Sequence, residues 1–173
     1  MALTKVIGSG IGTVTNQFAD ANMSAGSMVQ IVQTGTIANM VTTTKGSFVD
    51  TNYTLAITPS VSSHKVLIAW HLLWNITGTG QKTRGCFKLV RTVAGGSAVD
   101  ILNTFEHDEM FQIRNTNNQW NNVYAGEFLD SPSTTNAVTY KFQVLLKNDS
   151  GITSFTVYPN TYGGVMNLKE IVA

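Results

Sequence analysis

Along most of the chain, apolar and polar residues alternate with a period of two, which sets successive side chains on opposite faces of a strand. Tyr53, Leu55 and Ile57 alternate with Thr54, Ala56 and Thr58 until Pro59 ends the run. Val138, Tyr140, Phe142 and Val144 alternate in the same way with Thr139, Lys141 and Gln143. Ile152, Phe155 and Val157 follow a turn at Asn148-Asp149-Ser150-Gly151. The stretch from Lys65 to Trp74 differs, because Val66 to Trp70 and Leu72 to Trp74 are nearly continuous in apolar character. That pattern predicts a central strand covered on both faces. Val165 to Val172 predicts a last strand, paired within the sheet. Helical periodicity is almost absent.

Turn residues punctuate these runs at short intervals. Thr44-Lys45-Gly46-Ser47, Pro59 to Ser63, Thr77 to Gly80, Ala94-Gly95-Gly96-Ser97, Asn115 to Asn118, Ser131-Pro132-Ser133 and Tyr162-Gly163-Gly164 supply the Gly, Asn and Pro of tight turns. The spacing predicts about eight to ten strands in an all-β antiparallel sandwich or barrel.

The first 25 residues break the pattern. Gly8-Ser9-Gly10-Ile11-Gly12-Thr13 is too rich in glycine for a stable strand, and Phe18 to Met28 has only weak helical spacing. An isolated arm cannot bury its own Ile7, Ile11, Val14 and Phe18. It either packs along the β domain or reaches a neighbouring subunit, and its small residues favour the second. The expected organisation is an assembly arm over 1–25 and a β domain over 26–173.

Composition sharpens this picture. Charged residues are 12% of the chain, about half the usual quarter, and the formal net charge is +1. No field of either sign gathers nucleic acid or an anionic membrane, so neither is an expected partner. Thr, Asn and Ser replace the missing charge, at 50 of 173 residues. With 43% apolar residues the chain can bury a core. Cys86 is the only cysteine, which excludes a disulfide framework and a cysteine-based zinc site; in Gly85-Cys86-Phe87 it reads as a small filler on a strand. Met1 to Gly10 lacks the apolar stretch of a signal peptide, so the expected place of synthesis is a cytoplasm, without export by that route.

The densest polar cluster is Glu106-His107-Asp108-Glu109, between Phe105 and Met110. On a strand, Glu106 and Asp108 share one face and His107 and Glu109 the other. A carboxylate pair suits calcium and a His–carboxylate pair a transition metal, but neither is a complete site. A solvated edge that discourages strand pairing explains the cluster equally, and no metal or other cofactor is expected. His64, in Ser62-Ser63-His64-Lys65, is expected to be exposed, and His71 to be hydrogen-bonded in a core or interface. No nucleophile elbow, zinc-protease or phosphate-loop motif is present, so no enzymatic activity is expected. A glycan site is a second possibility. Sugars are held by aromatic faces and neutral amides, and Trp120 lies among Asn117, Asn118, Asn121 and Asn122. The alternative is a polar hairpin whose Trp120 folds back on the sandwich.

Four stretches resemble small β-rich domains of fibre and other virion structural proteins of tailed bacteriophages. They are Thr42 to Thr51, Ala56-Ile57-Thr58-Pro59-Ser60 leading to Ser63-His64-Lys65-Val66-Leu67-Ile68, Leu129-Asp130-Ser131-Pro132-Ser133-Thr134-Thr135 with Val138-Thr139-Tyr140, and Leu168-Lys169-Glu170-Ile171. Gly8 to Thr15 is similar to the Gly/Thr-rich leader of such domains. The resemblance implies a jelly-roll-like β-sandwich, usually a homotrimer, on the outside of a virion. It transfers no catalytic motif and no binding residue. The short arm before a single head favours a capsid decoration (cement) subunit, whose partners are its own copies and the major capsid protein. The alternative is a tail-fibre or receptor-binding subunit contacting tail components and a host-surface glycan. A free-standing lectin-like domain is the outside reading.

Overall fold

The computed structural model describes residues 23–78, 83–103, 111–113, 119–147, 152–158 and 163–173. They form eleven strands: β1 (Met28–Gln33), β2 (Met40–Thr42), β3 (Phe48–Ile57), β4 (Lys65–Gly78), β5 (Thr83–Val93), β6 (Ala98–Asn103), β7 (Phe111–Ile113), β8 (Gln119–Asp130), β9 (Val138–Leu146), β10 (Ile152–Val157) and β11 (Val165–Ile171). All named strand pairs are antiparallel. The number slightly exceeds the expectation because β2 and β7 are only three residues long, too short to show a period.

Two sheets pack face to face. In the first, β4 is the centre: β8 lies along one edge, while β11 and then β10 share the other, followed outward by β1 and β2. The second runs β3-β9-β5, with β6 and β7 sharing the far edge of β5. Five pairings are nested: β1 with β11, β2 with β10, β3 with β9, β4 with β8 and β5 with β7. Their partners, such as Thr42 with Phe155, Trp70 with Gly126 and Thr83 with Ile113, are nearly symmetric about Ala98. The chain is therefore a long hairpin rolled into two layers, the jelly-roll arrangement of a β-sandwich. Its tip is the predicted Ala94-Gly95-Gly96-Ser97 turn, where Gly95 takes φ +79° and the Gly96 amide bonds the Val93 carbonyl at 2.8 Å.

The period-two pattern explains the core. Val138, Tyr140, Phe142 and Val144 are fully buried, as are Val66, Ile68 and Leu72. Burying side chains of this size contributes about 1.5–3 kcal/mol each before the entropy of ordering them is subtracted. Aromatic rings fill the middle, with Trp74 stacked on Phe155 at 5.5 Å and Phe87 on Tyr124 at 5.0 Å. Cys86 is buried on β5, the filler position its context predicts.

Polar groups pin the layers at the margins. The Asp130 carboxylate on β8 accepts from Arg91 Nη1 at 2.8 and 3.0 Å and from the Tyr140 hydroxyl at 2.7 Å, both in the opposite sheet. Burial and then the neighbouring carboxylate push the Tyr140 hydroxyl far above its usual range. Tyr53, on β3, donates its hydroxyl to the Tyr158 carbonyl at 2.9 Å.

Candidate functional site

In an antiparallel ladder, paired residues project to the same face, so the registers define the outer surface of each sheet. On the β4 sheet one row runs Leu129, Leu67, Lys169, Ile31 across β8, β4, β11 and β1. The rows on either side hold Glu127, Ala69, Asn167 and Gln33, and Lys65, Ile171 and Met28; the row beyond the first holds Ala125, His71 and Val165. Val123 pairs Leu73 toward the other end. Met28, Ile31, Val123 and Leu129 are 43–53% exposed. Scattered exposed apolar residues are ordinary, but four on one sheet face are not scattered.

The outer face of the second sheet is different. Asp50 accepts from Lys141 Nζ and Gln143 Nε2, each at 2.7 Å, and Lys88 pairs Asp100 at 3.1 Å. The Asp50 carboxyl is raised by burial, but its bonds to Lys141 and Gln143 outweigh this and hold it below its usual value. One face is thus built for water. The other carries the outward residues of β4, whose continuous apolar run predicted cover on both sides. The second sheet buries Val66, Ile68, Trp70 and Leu72, whereas Leu67, Ala69, His71 and Leu73 stay partly exposed. Within one chain, the described residues cover β4 fully on its inner face only.

At one end of the apolar face lies an open cavity of about 350 Å³, lined by Leu73, Trp74, Asn121, Asn122 and Tyr158. Asn75, 4% exposed, sits behind it. Its Nδ2 donates to Asn121 Oδ1 at 2.7 Å and to the Trp120 carbonyl at 3.3 Å, and its Oδ1 accepts from the Thr77 hydroxyl at 3.0 Å. The Trp120 carbonyl can only accept, so it fixes which way the Asn75 amide turns. That in turn presents the Asn121 oxygen inward. The Tyr158 hydroxyl reaches the same oxygen at 3.4 Å, and Asn122 Oδ1 accepts from the Val123 amide at 2.7 Å.

Of the predicted glycan residues, Asn121 lines this cavity and Trp120 lies beside it. Trp120 is on strand β8 opposite Ile76, 45% exposed, and not on a hairpin loop. Asn117 and Asn118 fall outside the described residues, as do Ile7, Ile11, Val14 and Phe18 of the arm and Glu106, His107, Asp108 and Glu109. Tyr158, Leu73 and Asn75 were not singled out by the sequence. They reach the cavity through the pairing of β10 and β8 on either side of β4, which no local pattern reveals.

The histidines divide differently from expectation. His71 is hydrogen-bonded, its Nδ1 3.2 Å from the Gly163 carbonyl, but stands on the partly exposed outer face and not in the core. His64, expected to be exposed, is 4% exposed. Its Nδ1 donates to the Glu170 carboxylate at 2.8 Å, and the Ser60 amide and hydroxyl donate to the same oxygen at 2.7 Å each. Gln30 Nε2 donates to the other oxygen at 2.5 Å. The fully buried Glu170 was missed, although its parity with Met166 and Leu168 puts it on the inward face of β11. Burial raises the Glu170 carboxyl, but the bonds from Gln30, Ser60 and His64 prevail and hold it below its usual value.

Ser60, His64 and Glu170 do not form a nucleophile relay. Such a relay needs the hydroxyl on one imidazole nitrogen and the acid on the other. Here Ser60 Oγ is 3.4 Å from the same Nδ1 that Glu170 occupies, so hydroxyl, imidazole and acid are not arranged in that order. The cluster ties β1, the β3–β4 loop and β11 together. Among the described residues no group of three or more His, Cys, Asp or Glu could hold a metal ion. No protein-family model matches the chain, and no curated protein matches it.

Proposed function

We propose that this chain is a virion structural protein of a tailed bacteriophage, a non-enzymatic decoration subunit that assembles as a trimer on the capsid surface. The observation that carries the assembly is the apolar outer face of the β4 sheet. It spans four strands, roughly 14 Å at the usual strand spacing, beside a second sheet whose outer face has ion pairs. Subunit interfaces deplete Lys and Glu at their centres, and the 12% charge content of the chain agrees with that, while Lys169 and Glu127 do stand on this face. The assignment to a phage particle is supported by the sequence resemblance. Parts of two of its four stretches meet in one place, since Ser60 and His64 of one hold the Glu170 carboxylate of another, while Asp130 of a third pins the two sheets.

The arm over 1–25 then bridges neighbouring subunits or the shell. Deleting those residues should abolish incorporation into particles and leave a folded domain; full incorporation of the truncated protein refutes the arm's role. Sedimentation of the intact protein should give a trimer at micromolar concentration, and a monomer there would count against assembly through this face. The second reading, a tail-fibre or receptor-binding subunit, is favoured by the amide-lined cavity next to exposed Trp120.

A further inference from the structure

The cavity at the end of the apolar face is built in two layers. The inner layer is the buried Asn75, locked by Thr77 and the Trp120 carbonyl. Its role is to hold Asn121 by its oxygen. In the outer layer the Asn121 and Asn122 oxygens are both engaged, to Asn75 and to the Val123 amide. The NH₂ groups of these two amides make no bond to other described residues. Asn121 and Asn122 therefore line the cavity, through side chain or backbone, together with Leu73, Trp74 and Tyr158. The volume is at the lower end of ligand pockets, about 300–1,000 Å³.

The lining states what can enter. Among the described residues it holds no Asp, Glu, Lys or Arg, so these residues offer a charged ligand no counter-charge in a partly desolvated site. Amide donors call for acceptor oxygens, and the apolar wall calls for a C–H face. We propose that this cavity binds a neutral saccharide, with Asn121 and Asn122 donating to hydroxyl or acetamido oxygens and Tyr158 supplying an apolar surface. Asn75 is a positioning residue: it touches no sugar and sets the direction of the Asn121 amide. The inference deepens the receptor-binding reading by giving it a site, and rests on that reading only for where the sugar comes from.

The test is ligand-observed saturation-transfer NMR on the full chain with galactose, N-acetylglucosamine and their short oligomers. Galacturonate serves as the charged comparison. Neutral sugars should show transfer at about 10 mM ligand, in the millimolar affinity range of small neutral ligands. Asn121→Asp keeps the oxygen that Asn75 holds and removes the donor, and should weaken binding about tenfold or more, equivalent to one lost hydrogen bond. Tyr158→Ala should weaken it similarly while Tyr158→Phe retains it, and a denaturation midpoint for each variant separates folding from binding. No transfer from any neutral sugar, equal transfer from galacturonate, or full binding by Asn121→Asp would each overturn the site. Adsorption of particles carrying Asn121→Asp tests the receptor reading separately: a sugar-blind variant that adsorbs normally leaves the site standing and removes its role in host attachment.

Discussion

His64 Nδ1 and Glu170 Oε1 lie 2.8 Å apart although 106 positions separate them along the chain, and both side chains are buried. Ser60 and Gln30 complete the shell around the carboxylate, so every lost partner leaves a buried polar group unpaired. Glu170→Ala should therefore destabilise the fold by about 3 kcal/mol, the cost of leaving buried partners of an ionised group exposed to an apolar surround. Urea denaturation at neutral pH measures it.

The same carboxylate makes stability depend on acid. Its folded value is lowered from the ordinary 4.5, so its contribution is fully present above that pH and is lost as pH falls through the folded value. Denaturation midpoints should be level above about pH 5 with respect to this group and fall steeply below about pH 4.5. In Glu170→Gln the acid limb should be shallower, because nothing titrates at that position. The difference between the two proteins cancels the other carboxylates, Asp50 included. An unchanged acid limb would show that the group does not control it.

Gly164 faces the Tyr53 hydroxyl so closely that an added Cβ would overlap it. Gly164→Ala should push Tyr53 off the Tyr158 carbonyl and cost about 1–3 kcal/mol, as overpacking of a filled site does. Because Tyr158 lines the cavity, the substitution should also alter its shape. Gly126→Ala meets the same obstacle at the Trp70 ring, 2.8 Å from where its Cβ would stand. Thermal unfolding of both variants checks the pair.

Asp130 serves Arg91 and Tyr140 at once. Asp130→Ala leaves a partly buried guanidinium and a buried hydroxyl without their acceptor, and should cost about 3–5 kcal/mol. Tyr140→Phe removes only one donor to a charged group and should cost about 1.5–3 kcal/mol. Equilibrium unfolding should rank the two in that order.

Charge on the outer face of the β4 sheet should act on assembly and not on the fold. Leu129→Lys together with Ile31→Lys places two charges on residues about half exposed, where single-chain stability changes little. Sedimentation velocity should show a shift from trimer to monomer with an unchanged unfolding midpoint. A persisting trimer would exclude this face as the interface.

Much of this was legible in the one-dimensional pattern. Val138 to Val144 and Tyr53 with Ile57 fell on the core face because period two is a local property of the backbone. The turn at Ala94 to Ser97 was legible because Gly95 needs a positive φ that glycine supplies. The apolar run of Lys65 to Trp74 correctly marked β4 as central, but the cover it predicted on both faces is complete only on the inner one among the described residues. Parity could have put Glu170 inside, but nothing local named its partners. Only the rolled-up hairpin does that: it brings β11 against the β3–β4 loop, burying His64 where a turn of serines suggested exposure, and sets Asn75 behind Asn121. Periodicity decides which side of a strand a residue occupies. What waits on that side is decided by strand pairings that close over tens to a hundred residues, and those are fixed by the packing of the whole sandwich.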